Sequence, residues 1–80
     1  MYLEIVTPDK TVFTGEIKLI QLPGSLGSFE VLKNHAPLIS TLDNGKLRIV
    51  ENNGKEQIFN VQGGVVEAMD NNVLVLAEKI

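Results

Sequence analysis

The stretch Asn44-Gly45-Lys46-Leu47-Arg48-Ile49-Val50-Glu51-Asn52-Asn53-Gly54 carries the clearest structural signal in the chain. An Asn-Gly pair stands near each end, and Asn-Gly between strand-like segments is the strongest short-range mark of a β-hairpin. Between the pairs, Leu47 and Ile49 alternate with Lys46 and Arg48. A period of two puts the apolar side chains on one face and the charged ones on the other, the pattern of a strand with one buried and one solvated side. Gln57 to Val61 is then the returning strand.

Working outward, glycine, asparagine and proline punctuate the chain at strand spacing. Tyr2 to Thr7 reads as a strand, turned by Pro8, Asp9 and Lys10 into a second at Thr11 to Thr14. Gly15 marks a bulge or bend. Ile17 to Leu22 follows, with Ile17, Leu19 and Gln21 expected on one face and Lys18, Ile20 and Leu22 on the other. Phe29 to Leu32, Leu38 to Leu42, Val65 to Met69 and Val73 to Glu78 complete the set, the last apolar on both faces and so expected inside a sheet. Gln62-Gly63-Gly64 reads as a bend and Asp70-Asn71-Asn72 as a turn. No ten-residue segment shows the helical period. Eight to ten short strands with no helix make an all-β antiparallel sandwich or flattened barrel, one domain over residues 1–80.

Composition narrows the function. Eighty residues leave no room for a second domain or an enclosed cofactor. The absence of cysteine removes disulfides, thiolate zinc sites and cysteine nucleophiles. No apolar run approaches the length of a bilayer span. Ten acidic against seven basic residues, the latter scattered singly, argue against a surface that tracks nucleic-acid phosphates.

Chemistry-bearing constellations are few. The single histidine, His35, has Ser40 and Thr41 nearby but no third group to orient it, and reads as a turn or interface residue. Asp9, Asp43 and Asp70 fall in separate turns, which suits backbone capping better than metal binding. Neither Pro23 to Gly27 nor Gly63-Gly64 precedes a helix or a Gly-Lys-Ser/Thr sequence, so neither matches a nucleotide loop. Two features remain. Pro23 to Glu30 sets Leu26 and Phe29 among glycines and serines, Leu26 exposed and Phe29 equally readable as core. His35-Ala36-Pro37-Leu38 places a proline where an edge strand begins, and edges invite docking.

The ordered set Leu3-Glu4-Ile5-Val6-Thr7-Pro8, Val12-Phe13-Thr14-Gly15, Gly27, His35-Ala36-Pro37-Leu38, Leu47-Arg48-Ile49-Val50 and Gln62-Gly63-Gly64-Val65-Val66-Glu67 closely resembles the N-terminal domain of the ATP synthase epsilon subunit, from about residue 2 to residue 78. The resemblance implies a flattened two-sheet β-sandwich of about ten short strands. It also implies a non-catalytic rotor subunit of the central stalk, on the cytoplasmic face of the bacterial inner membrane. That subunit docks on the gamma subunit and on the c-subunit ring, and couples ion-driven rotation to ATP synthesis without a cofactor or metal. Carried over by position, the gamma-facing residues are Thr7, His35, Ala36, Pro37, Leu38, Ser40 and Leu42. The ring-facing loop is Gly24, Ser25, Leu26, Gly27, Ser28, Phe29 and Glu30. This chain departs from the family at Ser28, where an acidic residue is usual, at Phe29-Glu30, where Leu-Gly is usual, and at Lys33-Asn34, where Pro-Gly is usual. The two-helix C-terminal domain that binds ATP in some relatives has no counterpart after Glu78, so no ATP binding is expected. A stand-alone β-sandwich binding module is the alternative, separated from the first reading by partner choice.

Overall fold

Two long strands turn the corners of the molecule and make one closed structure from two sheets. The computed structural model describes residues 1–80 as seven strands: β1 (Tyr2–Thr7), β2 (Lys10–Gly24), β3 (Gly27–Leu32), β4 (Leu38–Leu42), β5 (Gly45–Glu51), β6 (Glu56–Met69) and β7 (Asn72–Lys79). The first half of β2 pairs with β1, and its second half runs between β3 and β5. The first half of β6 pairs with β5, and its second half runs between β4 and β7. Sheet I is therefore β4, late β6, β7, β1 and early β2; sheet II is β3, late β2, β5 and early β6. Counted by sheet, β2 and β6 each contribute twice, which is why a chain of seven strands reads as more numerous short segments. All pairs are antiparallel except β1 with β7.

The corners have local causes. In β2 a bulge between Ile17 and Leu19 shifts the register, so Ile17, Ile20 and Leu22 all point inward. The expected grouping of Ile17 with Leu19 and Gln21 is corrected by that extra residue, since a bulge reverses facing from that point on. In β6 the corner is Gly63-Gly64, both at positive φ (70° and 144°). A Cβ on Gly64 would collide with the Leu76 carbonyl oxygen of the neighbouring strand, so only glycine lets β7 lie this close.

The two Asn-Gly pairs behave differently. Asn53-Gly54 closes a true hairpin between β5 and β6, with the Gly54 N–H donating to the Glu51 carbonyl at 2.8 Å and Gly54 at φ 89°. Asn44-Gly45 does not close a hairpin, because β4 and β5 lie in different sheets and neither residue takes positive φ. Gly45 is already the first residue of β5, and it is small because a Cβ there would sit 2.8 Å from Pro23 Cβ. The two-residue turn with both centres left-handed is instead Asp70-Asn71 (φ 52° and 60°), joining β6 to β7.

Fifteen buried apolar side chains form one cluster between the sheets, among them Leu3, Ile5, Ile20, Leu22, Leu47, Ile49, Val66 and Val75. Phe13 of sheet I meets Phe59 of sheet II edge to face at 6.4 Å. No polar side chain is fully buried. The accessible surface is 4709 Å², against about 4,800 Å² from the size scaling of monomeric proteins.

Candidate docking surfaces

Strand β4 organises the first surface. Before it, the chain turns at Lys33-Asn34, with Asn34 left-handed (φ 65°) and the His35 N–H donating to the Leu32 carbonyl at 3.1 Å. His35 Nδ1 lies 2.7 Å from the Ala36 carbonyl, so that nitrogen carries the proton and the ring folds onto its own loop. Pro37 has no N–H to give a sheet, which lets the chain enter β4 at an edge. Along β4, Leu38 is half-buried against the core, Ile39 stands outward at 73% exposure, Ser40 turns partly inward, and Leu42 is 5% exposed.

The seven expected gamma-facing residues are thus not one patch. His35, Ala36, Pro37 and Leu38 sit together at one end of sheet I. Leu42, among those expected to face gamma, is a core residue: positions 38, 40 and 42 share the inward side of β4, and 42 is the deepest. Thr7 lies on β1, three places along the sheet from β4 and at the opposite end of the strands, beside Leu76 and Glu78. Its hydroxyl lies 2.8 Å from Asp9 Oδ1.

What reading by sequence missed is the outer face of sheet I. The registers align Glu4, Leu74, Glu67 and Ile39 in one cross-strand row and Val6, Leu76, Val65 and Thr41 in the next. Tyr2, Asn72 and Met69 make a third. Ile39, Met69, Leu76, Tyr2 and Val65 are all exposed, so the face is apolar and open. Its charges are carboxylates, Glu4, Glu67 and, opposite Tyr2 on β2, Glu16, with no Lys or Arg in these rows. Beside β4 the face dips into a groove lined by Pro37, Leu38, Ile39, Glu67 and Met69. The one sign of it in the residues is β7: expected inside a sheet because both its faces are apolar, it does lie inside one, between β1 and β6, and its second apolar face, Leu74 and Leu76, belongs to this open side.

The second surface is the tip of the β2–β3 hairpin. Gly24 pairs with Gly27, leaving Ser25-Leu26 as a two-residue turn, and Leu26 is 106% exposed. The tip is strapped to the far end of β4: the Ser25 N–H donates to the Thr41 carbonyl (3.0 Å), the Thr41 hydroxyl donates to Ser25 Oγ (2.8 Å), and the Asp43 N–H donates to the Pro23 carbonyl (2.8 Å). Of the seven residues expected to face a ring, Ser25, Leu26 and Gly27 form this tip. Gly24 is buried, with a Cβ there falling 2.7 Å from both the Gly27 carbonyl and the Phe29 ring. Phe29 is partly buried and packs against the core cluster. Ser28 accepts from Gln21 Nε2 (3.2 Å), and Glu30 pairs with Arg48 (3.5 Å) on the flat of sheet II, where Arg48 also holds Glu56 (3.1 Å).

The two surfaces lie at opposite ends of β4, whose five residues span about 13 Å at the usual strand rise. The Ser40 hydroxyl donates to the Thr41 carbonyl (3.1 Å) rather than meeting His35. No group of three or more His, Asp or Glu converges on a point, and Asp9, Asp43 and Asp70 occupy separate connections. The Thr7 hydroxyl, the Asp9 backbone N–H and the nearby Lys10 hold the Asp9 carboxyl below the usual range.

Comparison with known proteins follows the same outline. The family model of the ATP synthase delta/epsilon chain β-sandwich domain matches residues 1–80. The ATP synthase epsilon chain of Chlorobaculum tepidum is 42% identical over 78 residues, covering 98% of this chain and 89% of that one. That of Chlorobium limicola is 38% identical over the same shares. That of Dichelobacter nodosus is 37% identical over 75 residues, 94% of this chain but 52% of the relative, so this chain spans most of some relatives and about half of others. Among solved structures, a chain of the Euglena gracilis mitochondrial ATP synthase assembly (OSCP/F1/c-ring) superposes with a TM-score of 0.90 at 22% identity, over 96% of this chain and 49% of that one. A chain of the Tetrahymena thermophila mitochondrial ATP synthase central stalk and c-ring superposes at 0.79 with 20% identity, over 95% and 61%. These two share the fold.

Proposed function

Because the chain belongs to the ATP synthase delta/epsilon chain β-sandwich family, we propose that it is a central-stalk rotor subunit of a rotary F-type ATP synthase and works by docking, not by bond chemistry. It joins the gamma subunit to the c-subunit ring, so that ion-driven rotation of the ring reaches the catalytic head as torque. It does so as a peripheral component, on the cytoplasmic side of a bacterial inner membrane.

The observation that carries this reading is the open apolar face of sheet I, continuous with the His35-Ala36-Pro37-Leu38 end. A protein with one filled core gains nothing for its own fold by leaving Ile39, Met69, Leu76 and Tyr2 in water. Contiguous exposed apolar surface of this kind marks a partner site. Gamma covers this face in the proposal, with Ile39 and Met69 added to the contact set and Leu42 removed from it. The strapped hairpin tip, at the other end of β4, faces the ring. Such a domain transmits torque if its two contacts are rigidly joined, and β4 is hydrogen-bonded to β6 along its length and to the tip at its end.

Native mass spectrometry of this chain mixed with its cognate gamma subunit tests the proposal without assuming any activity. A one-to-one complex is expected. Two folded proteins that form no complex would overturn the gamma contact.

A further inference from the structure

Hairpin tips are usually polar for a physical reason: Asn, Asp, Gly and Ser suit the backbone of the central turn positions and are well solvated there. Leu26 breaks that rule. It occupies the second central position of the Ser25-Leu26 turn, is fully exposed, and belongs to no part of the core cluster. Departures from local rules that bring the fold no gain concentrate at functional positions.

The charge around it is equally specific. No ionisable side chain occurs from Gly24 to Phe29. The next carboxylate, Glu30, is directed along sheet II to Arg48 at 3.5 Å, away from the turn. Asp43, beside Pro23, and Lys46, which lines the same shallow depression as Pro23 and Ser28, carry opposite charges. The tip is also fixed, by the three hydrogen bonds that tie Pro23 and Ser25 to Thr41 and Asp43. A fixed tip presents its side chain at little further cost in conformational entropy.

Building on the proposed contact with the c-subunit ring, we infer that this contact is an apolar, charge-independent one in which Leu26 is the anchor. The fitting partner surface is a shallow socket of apolar side chains or aliphatic stems on the exposed loops of the ring. Ser25, Gly27 and Ser28 form the thin polar rim around the anchor.

The test uses the complex of this chain with gamma, immobilised, and the detergent-purified c ring of the same enzyme as the probe. Wild-type affinity is expected to change by less than about twofold between roughly 50 and 500 mM NaCl, since salt screens charge pairs and not apolar contact. Leu26→Asn is expected to keep or raise thermal stability, because Asn suits the turn, while weakening ring binding about tenfold or more. Leu26→Met is expected to bind as wild type. Gamma binding is expected to be unaffected in both variants, which reports that they are folded. Binding that falls steeply with salt and is indifferent to Leu26→Asn would overturn the apolar anchor while leaving the ring contact in place. A wild-type complex that does not bind the ring under any of these conditions would overturn the ring contact itself, and the anchor with it.

Discussion

Asn34 and Asn71 clasp each other across the end of the sandwich: the Asn34 backbone N–H donates to Asn71 Oδ1 at 2.6 Å, and Asn71 Nδ2 donates back to Asn34 Oδ1 at 3.1 Å. Both residues are left-handed, at φ 65° and 60°. Asparagine is one of the few residues that visits this region readily, and here the same side chains also join two turns 37 residues apart. The clasp therefore orders the loop that presents His35, Ala36 and Pro37.

Two variants of Asn71 separate backbone from side chain. Asn71→Gly keeps the turn but loses both hydrogen bonds, and Asn71→Ala loses both and strains φ as well. Denaturant unfolding is expected to rank alanine below glycine by about 1 kcal/mol. Hydrogen exchange at the His35 amide is expected to speed up in both. An unchanged His35 rate would mean that the clasp does not order the loop.

Two glycines at positive φ, one at the β6 corner and one at the β2–β3 tip, make a sharper contrast. Gly64 combines φ 144° with a Cβ position blocked by the Leu76 carbonyl, whereas Gly27 has φ 128° and open space around its Cβ. Gly64→Ala is expected to cost about 3 kcal/mol or more, since the backbone of β7 must move, and Gly27→Ala about 1 to 2 kcal/mol from strain alone. Thermal unfolding of the two variants measures the difference. Equal losses would place the cost in φ and not in the close approach of β6 to β7.

Much of this fold is legible in the residues. Leu47 and Ile49 are inward and Lys46 and Arg48 outward as the alternation requires, and turn spacing alone leads as far as an antiparallel sandwich or flattened barrel. What escapes is whatever depends on which strands meet. Asn44-Gly45 carries the same local signal as Asn53-Gly54, yet only pairing across the sandwich decides that Gly45 is needed for its approach to Pro23. The bulge at Lys18 is invisible to a count of alternation, and it moves Leu19 outward. At the docking surfaces, Leu26 is legible because a turn exposes it, whereas Ile39 and Met69 come together only through the β4–β6 pairing and give no local sign.

Acid titration offers a check on the turn between β1 and β2. Chiefly through the Thr7 hydroxyl, Asp9 is held below the usual carboxylate range in the folded protein. A depressed acidity means that the ionised form favours folding: the contribution is present above the unfolded-state pKa and is lost as pH falls through the folded one. It is small, because the carboxyl is solvent-exposed. Carbon-13 NMR titration is expected to show the Asp9 midpoint rising toward the ordinary value in Thr7→Val. Any stability advantage of wild type over Asp9→Asn is expected to shrink on acidification. A midpoint unmoved by Thr7→Val would assign the depression to the backbone N–H and Lys10.

Side chains on opposite sides of β4 allow stability to be separated from the proposed docking. Leu42 faces inward at 5% exposure and Ile39 outward at 73%, three residues away on the same short strand. Truncating Leu42 to Ala removes buried methyl groups and is expected to cost about 2 to 4 kcal/mol of unfolding free energy. Truncating Ile39 to Ala leaves the core intact, and its stability is expected to stay within about 0.5 kcal/mol of wild type. In the proposed gamma contact the order reverses. Ile39→Ala is expected to weaken binding by about 1 to 3 kcal/mol, the range for an anchor beside a groove. Leu42→Ala, measured at a temperature where it is fully folded, is expected to bind as wild type. Calorimetric titration against gamma, paired with denaturant unfolding of each variant, reads both quantities on the same samples. If Ile39→Ala binds unchanged while Leu42→Ala does not, gamma rests on some surface other than the outer face of sheet I, and the groove beside Glu67 and Met69 must serve another purpose.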